Sequence, residues 1–331
     1  WAPANINIPM HPEFEARAPG EFAVIGGIKT HFILRGNGPR LVVLIHGLGK
    51  GISEAYNPVI LPELAKKHTV LAIDYFGRGF TEGTTANCDM RQLVAHIAQV
   101  LLYLSERTNG LTVKPFTLVG YSMGGALVTG FALQFPHLIR KLILIAPAGT
   151  AIPIPLEGKL VKLPIIGDLL FQLLGNLILP MQMPKGHYDW DSVDPVLKEE
   201  LKQAILDQIK YHPGYIHNFL SSLRHFPLND MEKDFAQLEH LPFPVMAIWG
   251  DSDRVCPYAE SSARIKQLIP KLELYTIKNS GHDDVSEKDA LEVAKVIAEF
   301  EARGLDPDSS DLPIEDVDEL DESDDQTMLA E

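Results

Sequence analysis

Cysteine is nearly absent: Cys88 and Cys256 are the two in 331 residues. That count excludes a disulfide framework and favours a reducing, intracellular compartment. No asparagine stands in an Asn-x-Ser/Thr acceptor, in keeping with such a compartment. No apolar run reaches the roughly twenty residues a membrane helix needs; the longest candidate lies between Pro164 and Pro180. Basic residues are missing beyond Arg303, where twelve acids account for most of the net charge of −15, so the body before them is only three charges from neutral. Nothing in that balance suggests nucleic-acid binding. Metal-ligand spacing is missing too: His187, His212, His217, His225 and His240 form no such pattern and read as surface or interior positions. The glycines of 47–51 fit neither a dinucleotide fingerprint nor a phosphate loop. No cofactor or metal is therefore expected.

What remains is ordinary globular composition, 46% hydrophobic and 22% charged. Residues 1–21 are proline-rich and without period, and an extended arm is expected there. The chain begins at Trp1 rather than Met, so a truncated start and removal of a leading segment are equally expected. Residues 22–25 and 30–34 alternate around Gly26-Gly27 like a hairpin. Apolar runs at 41–45, 70–73, 115–119 and 141–145 read as strands, 245–249 and 273–277 read as two more, and helical periodicity lies between most of them. Strands alternating with helices predict a mostly parallel α/β sheet, whose sites lie at the strands' carboxyl ends. Residues 151–241 break the alternation. They are helical in pattern, leucine-rich and proline-punctuated, so the expected organisation is a core of 22–150 and 242–303, a helical lid at 151–241, and an acidic, disordered tail at 304–331.

Residues 118–125 read Leu-Val-Gly-Tyr-Ser-Met-Gly-Gly. An apolar strand ends in Gly-x-Ser-x-Gly and a helix follows, which sets Ser122 on a sharp turn with its hydroxyl clear of the sheet. The five-residue pattern alone is weak; the flanking strand and helix give it weight. A serine hydroxyl needs an imidazole base, and that imidazole needs a carboxylate to orient it. Both come later in the chain, each just after a predicted strand. Residues 250–257 offer Asp251 and Asp253, and 279–284 offer His282.

These motifs together resemble the α/β-hydrolase superfamily over about residues 22–303, on its serine-esterase and monoacylglycerol-lipase side. The supporting segments are His46-Gly47, the Asp74–Thr81 loop, the serine turn, Gly250 to Pro257, and Gly281-His282. Thr81 stands where that family usually has serine. The resemblance implies a catalytic triad of Ser122, Asp253 and His282, with Asp251 the competing acid. It also implies an oxyanion hole made by the backbone amides of Leu48 and Met123, and a structural role for His46.

The expected activity is hydrolysis of carboxylic esters with a hydrophobic acyl group, motivated by the leucine-rich, weakly charged lid. The partner is then a small hydrophobic ester. The alternative is a carbon–carbon bond hydrolase of ring-cleavage dienoic keto-acids, which needs a cation near the serine; Lys50, Arg78 and Arg254 are the candidates. A non-catalytic binding protein is the third reading, although the chain keeps all three triad residues. In the lid, Asp168, Gln172 and Asn176 recur as a narrow polar stripe on a helix that is otherwise apolar. Its apolar faces either pack on the core, line a hydrophobic pocket, or make transient contact with a lipid surface.

Overall fold

The computed structural model describes residues 6–51, 55–56, 58–151 and 156–303; the acidic tail lies outside them. Continuous apolar runs become strands because a sheet covered on both faces must bury every side chain. The strands are β1 (Asn7–Ile8), β2 (Glu21–Ile25), β3 (Ile28–Arg35), β4 (Leu41–Ile45), β5 (Thr69–Ile73), β6 (Gly83–Thr84), β7 (Phe116–Tyr121), β8 (Ile139–Ile145), β9 (Val245–Gly250) and β10 (Glu273–Ile277). All residues of β4, β5 and β7 are buried. Eight strands form one sheet in the order β10-β9-β8-β7-β4-β5-β3-β2. It is parallel from β10 to β5, and the β2–β3 hairpin adds the antiparallel edge.

The flanking helices are α1 (Pro12–Glu15), α2 (Ile60–Ala65), α3 (Met90–Tyr103), α4 (Met123–Gln134), α9 (Glu232–Leu238), α10 (Tyr258–Leu268) and α11 (Ala290–Ala302), with α5 to α8 in the insertion. Helices α2 and α11 pack together, while α3, α4, α9 and α10 pack side by side. Each fully buried Leu or Phe in these layers contributes about 1.5–3 kcal/mol.

The insertion holds α5 (Leu156–Lys162), α6 (Ile166–Ile178), a 3₁₀ segment (Pro180–Gly186), α7 (Pro195–Tyr211) and α8 (Gly214–His225). It builds a small core of its own from Phe171, Tyr215, Phe219 and Leu220, against which Leu48 of the β4 loop packs. Helix α9 returns to the main core through Phe235 and Leu238.

The expectation of an extended N-terminal arm needs correction. Asn7–Ile8 pairs with β6, and Pro12–Glu15 turns as a helix. Pro12 occupies the first turn, where a missing N–H costs nothing, and Phe14 is buried in a stack on Phe80. Four residues carry no period, so their sequence gave no sign of this.

Candidate active site

Ser122 sits between β7 and α4 with φ 56° and ψ −121°, a sparsely populated conformation costing on the order of 1–3 kcal/mol. Its neighbours have to be glycine for lack of room. A Cβ on Gly120 would lie 2.3 Å from the carbonyl oxygen of Gly124, and one on Gly124 would lie 2.4 Å from that of His46. The turn is held by Ser122 N–H donating to Ile145 O (2.9 Å) and Ala148 N–H donating to Ser122 O (3.0 Å).

Three loops at the carboxyl end of the sheet bring the predicted residues together. Ser122 Oγ is 2.9 Å from His282 Nε2, and His282 Nδ1 is 2.7 Å from Asp253 Oδ2. Asp253 is buried, and its other oxygen accepts the backbone N–H groups of Val255 (2.8 Å) and Cys256 (2.9 Å). Trp249 Nε1 donates to Oδ2 at 3.1 Å. The competing acid points elsewhere: Asp251 accepts from Ser252 Oγ and Asn279 N–H, both at 2.9 Å, and braces the two loops against each other.

Burial opposes a charge on His282, but the Asp253 carboxylate and its hydrogen bond, with Asp283 adding, hold the imidazole pKa above its ordinary value of 6.5. Only the neutral ring can take a proton from Ser122. kcat/KM is therefore expected to fall as pH drops through a limb above 6.5. Asp253→Asn removes the carboxylate's charge, so residual activity should show that limb at lower pH. An unmoved limb in a pH profile would assign it to another group.

Loop 46–50 lies over the serine. Gly47 O accepts from Tyr75 OH and lies 2.8 Å from His46 Nδ1. In a trans peptide the following N–H, that of Leu48, points opposite to this carbonyl. Arg78 Nε donates to Leu48 O at 2.6 Å, fixing the next peptide as well. Leu48 and Met123 line the same cavity as Ser122 and His282. Burial, against a raising effect from Asp74, lowers the His46 pKa to about 4. This neutral ring stacks on Tyr75 at 4.1 Å between centroids. Thr81 takes the place of the family's serine without loss, since its Oγ1 donates to Asp74 O (2.7 Å) and accepts from His31 N–H (2.8 Å).

Sequence reasoning missed a charged network beside the triad. Lys50 Nζ lies 3.1 Å from Asp283 Oδ1 and also bonds Glu287. His187 of the insertion lies 2.8 Å from the second oxygen of Glu287, and Tyr121 OH donates to Asp283 at 2.9 Å. Burial opposes both charges, yet Asp283 and Glu287 hold the Lys50 pKa up, and Lys50 and His282 hold that of Asp283 well below the usual carboxylate range. His282-Asp283 was visible as a dipeptide. Its partners come from distant segments, and no local spacing signals them.

Of the three candidate cations, Lys50 lines the cavity beside Ser122. Arg78 is buried against Leu48 O, Gly77 O and Ser222 Oγ, and Arg254 bonds the backbone of His187. Cys88 and Cys256 are both free and buried. His212 is buried with Nε2 2.7 Å from Thr81 O, and no group of His, Cys, Asp or Glu among the described residues is arranged to hold a metal. The cavity measures about 480 Å³, within the range of small-molecule sites. Its walls include Leu48, Met183, Phe219, Leu228 and Val255, with Gln182 and Asn229 as neutral polar groups.

The α/β hydrolase fold family matches residues 40–289. A 2-hydroxy-6-oxo-2,4-heptadienoate hydrolase of Pseudomonas putida is 29% identical over 80% of this chain and 89% of its own length. A 2-hydroxy-6-oxononadienedioate/2-hydroxy-6-oxononatrienedioate hydrolase of Paraburkholderia xenovorans is 27% identical over 78% of this chain and 85% of its own. A solved meta-cleavage product hydrolase of Pseudomonas fluorescens superposes with a TM-score of 0.66 at 24% identity, covering 85% of this chain and 97% of that one, and supports the fold.

These relatives overturn the expectation of a carboxylic-ester hydrolase or lipase acting on hydrophobic acyl groups, since they are named for cleaving dienoic keto-acids. The physical reason lies in what the motifs encode. A serine, an imidazole and two amides act on a carbonyl whatever its leaving group. The lid leucines that suggested an acyl pocket are divided: Leu179 and Leu228 line the cavity, whereas Leu169, Leu173 and Leu177 are exposed. With the fold and the family match in agreement, this chain belongs to the α/β-hydrolase fold family.

Proposed function

We propose that this protein hydrolyses a carbon–carbon bond in ring-cleavage 2-hydroxy-6-oxo-dienoates, with Ser122 as nucleophile, His282 as base and acid, and Asp253 as the carboxylate that orients it. The observation that carries this reading is the joint placement of a hydrogen-bonded Ser122–His282 pair and a lysine in one cavity. Such a substrate has a ketone for the serine and a carboxylate for a cation. The relatives described above carry this activity in their names.

In the keto tautomer, Ser122 Oγ attacks the 6-oxo carbon and its proton passes to His282 Nε2. The oxygen that gains charge is received by the Leu48 and Met123 amides; one such donor is worth about 3 kcal/mol. The bond from that carbon to C5 breaks, and its electron pair enters the conjugated keto-acid, which takes the proton from His282. The resulting acyl ester on Ser122 is hydrolysed by a water that His282 deprotonates. One substrate and one water thus give a hydroxydienoate and a carboxylic acid.

Lys50 already serves Asp283 and Glu287, and its three-donor ammonium takes the substrate carboxylate beside them. A charge-assisted contact of this kind is worth about 1.5–3 kcal/mol. The free acid should therefore exceed its carboxyl methyl ester in kcat/KM for carbon–carbon cleavage by about 10–100-fold. Lys50→Met, checked for folding by thermal melt, should raise KM for the free acid and erase that preference. Equal rates for acid and ester in the wild type would sink the assignment of Lys50.

A further inference from the structure

Helix α6 is buried through one narrow sector. Gly167, Phe171 and Gly175 face inward, and Gly167 has no room for a side chain, since a Cβ there would lie 2.0 Å from Val161 O. The opposite sector is apolar and open. Ile166, Leu169, Leu173, Leu174 and Leu177 are all exposed, Leu173 at 73%, and Met181 continues the stripe at 71%. Asp168, Gln172 and Asn176 run along the border. Asp168 caps the helix through Ile165 N–H and pairs with Arg224, so its charge is matched. Exposed apolar stripes of this kind mark contact surfaces.

Charge and shape point to its nature. The chain carries −15, yet 156–186 holds Lys159, Lys162 and Lys185 against Glu157 and the already paired Asp168. The lysines bracket the apolar stripe at both ends. No single helix among the described residues is long and apolar enough to cross a membrane. Helix α6 rises about 20 Å at 1.5 Å per residue, short of the roughly 30 Å hydrocarbon layer. The 3₁₀ segment bends away from it by 63°. A short apolar stripe with flanking lysines is the pattern of a helix lying in the lipid interface, its cations at phosphate level. A two-fold contact between copies through this stripe would set like-charged lysine ends against each other.

We propose that α6 and the segment after it seat the insertion on an anionic bilayer surface, with Leu169, Leu173, Leu177 and Met181 among the acyl chains. Leu179, Gln182 and Met183 then place one cavity wall next to the lipid. Vesicle binding requires no turnover and stands apart from the reaction assigned above.

The test is flotation of the full chain with phosphatidylcholine vesicles, with and without phosphatidylserine, beside a Leu173→Asp/Leu177→Asp variant. Both substituted residues are exposed, so the melting midpoint should not change. The wild type should float with the phosphatidylserine vesicles, and the variant should lose about tenfold or more in bound fraction. Absence of wild-type binding, equal binding by the variant, or equal binding to neutral vesicles would overturn the proposal. A wild-type dimer in solution that the variant converts to monomer would also overturn it, and would assign the stripe to a second copy.

Discussion

Ser122→Ala lowers kcat by about 10⁶-fold, the scale seen when the serine of such a triad is removed. The expected size follows from the geometry. Ser122 Oγ is the atom 2.9 Å from His282 Nε2, so without it the imidazole has only water to activate. The oxyanion amides remain and sustain a residual rate above background. The alanine should stabilise slightly or not at all, because the unusual backbone of position 122 is imposed by the glycine contacts around it. KM should change little, because no part of the cavity wall moves. A kcat within tenfold of wild type in a folded variant would remove Ser122 from the chemistry.

The two acids of the β9 loop should separate just as sharply. Asp253→Asn lowers kcat by about 10⁴-fold, since an amide can present its NH₂ to His282 Nδ1 and leave the ring in the wrong tautomer. The loop amides of Val255 and Cys256 still have an oxygen to bond, so the fold persists. Asp251→Asn keeps an acceptor for Ser252 and Asn279 and leaves His282 untouched, so kcat should stay within a few-fold of wild type. Kinetics of the two variants in parallel make the comparison. Equal losses would mean that loop bracing, and not the carboxylate at His282, sets the rate.

The sheet was legible because strands buried on both faces read as unbroken apolar runs: Leu41–Ile45 falls where the pattern puts it. The helix after Ser122 was legible for the same reason, although the structure starts it at Met123. Spacing left Asp251 and Asp253 as rivals two residues apart. The fold separates them, because Asp253 lies over His282 while Asp251 is turned toward the start of the His282 loop.

The insertion shows what periodicity cannot supply. Its leucines announced a helix with an apolar sector but not the direction of that sector. The buried side of α6 is Gly167, Phe171 and Gly175, two of them residues that hydropathy ignores. Close packing excludes a side chain at Gly167 on the inner face, while Leu169, Leu173 and Leu177 of this helix lie outside, so the inference from leucine content to an acyl pocket failed there. The network of Lys50, Asp283, Glu287 and His187 failed to appear for a different reason. Its four members come from the β4 loop, the His282 loop and the insertion, and only the fold brings them together.

That network also joins chemistry to architecture. Asp283 follows His282 directly and is held by Lys50 and Tyr121, while Glu287 reaches His187 of the insertion. Arg78 does the same on the other side, bonding the loop of Leu48 and lying 5.5–5.6 Å from the rings of Phe219 and Tyr215 in α8. The insertion is thereby tied to the loops on both sides of Ser122.

Product stoichiometry decides directly whether the bond cleaved is carbon–carbon. Wild type and Ser122→Ala would be mixed with 2-hydroxy-6-oxo-2,4-heptadienoate, following loss of its visible absorbance together with release of acetic acid. The wild type should release one acetic acid and one hydroxydienoate per substrate consumed, and the alanine variant about 10⁶-fold more slowly. An unchanged spectrum with a wild-type protein whose Ser122 still reacts with a serine-directed phosphonate would contradict it, leaving an intact triad that serves another substrate.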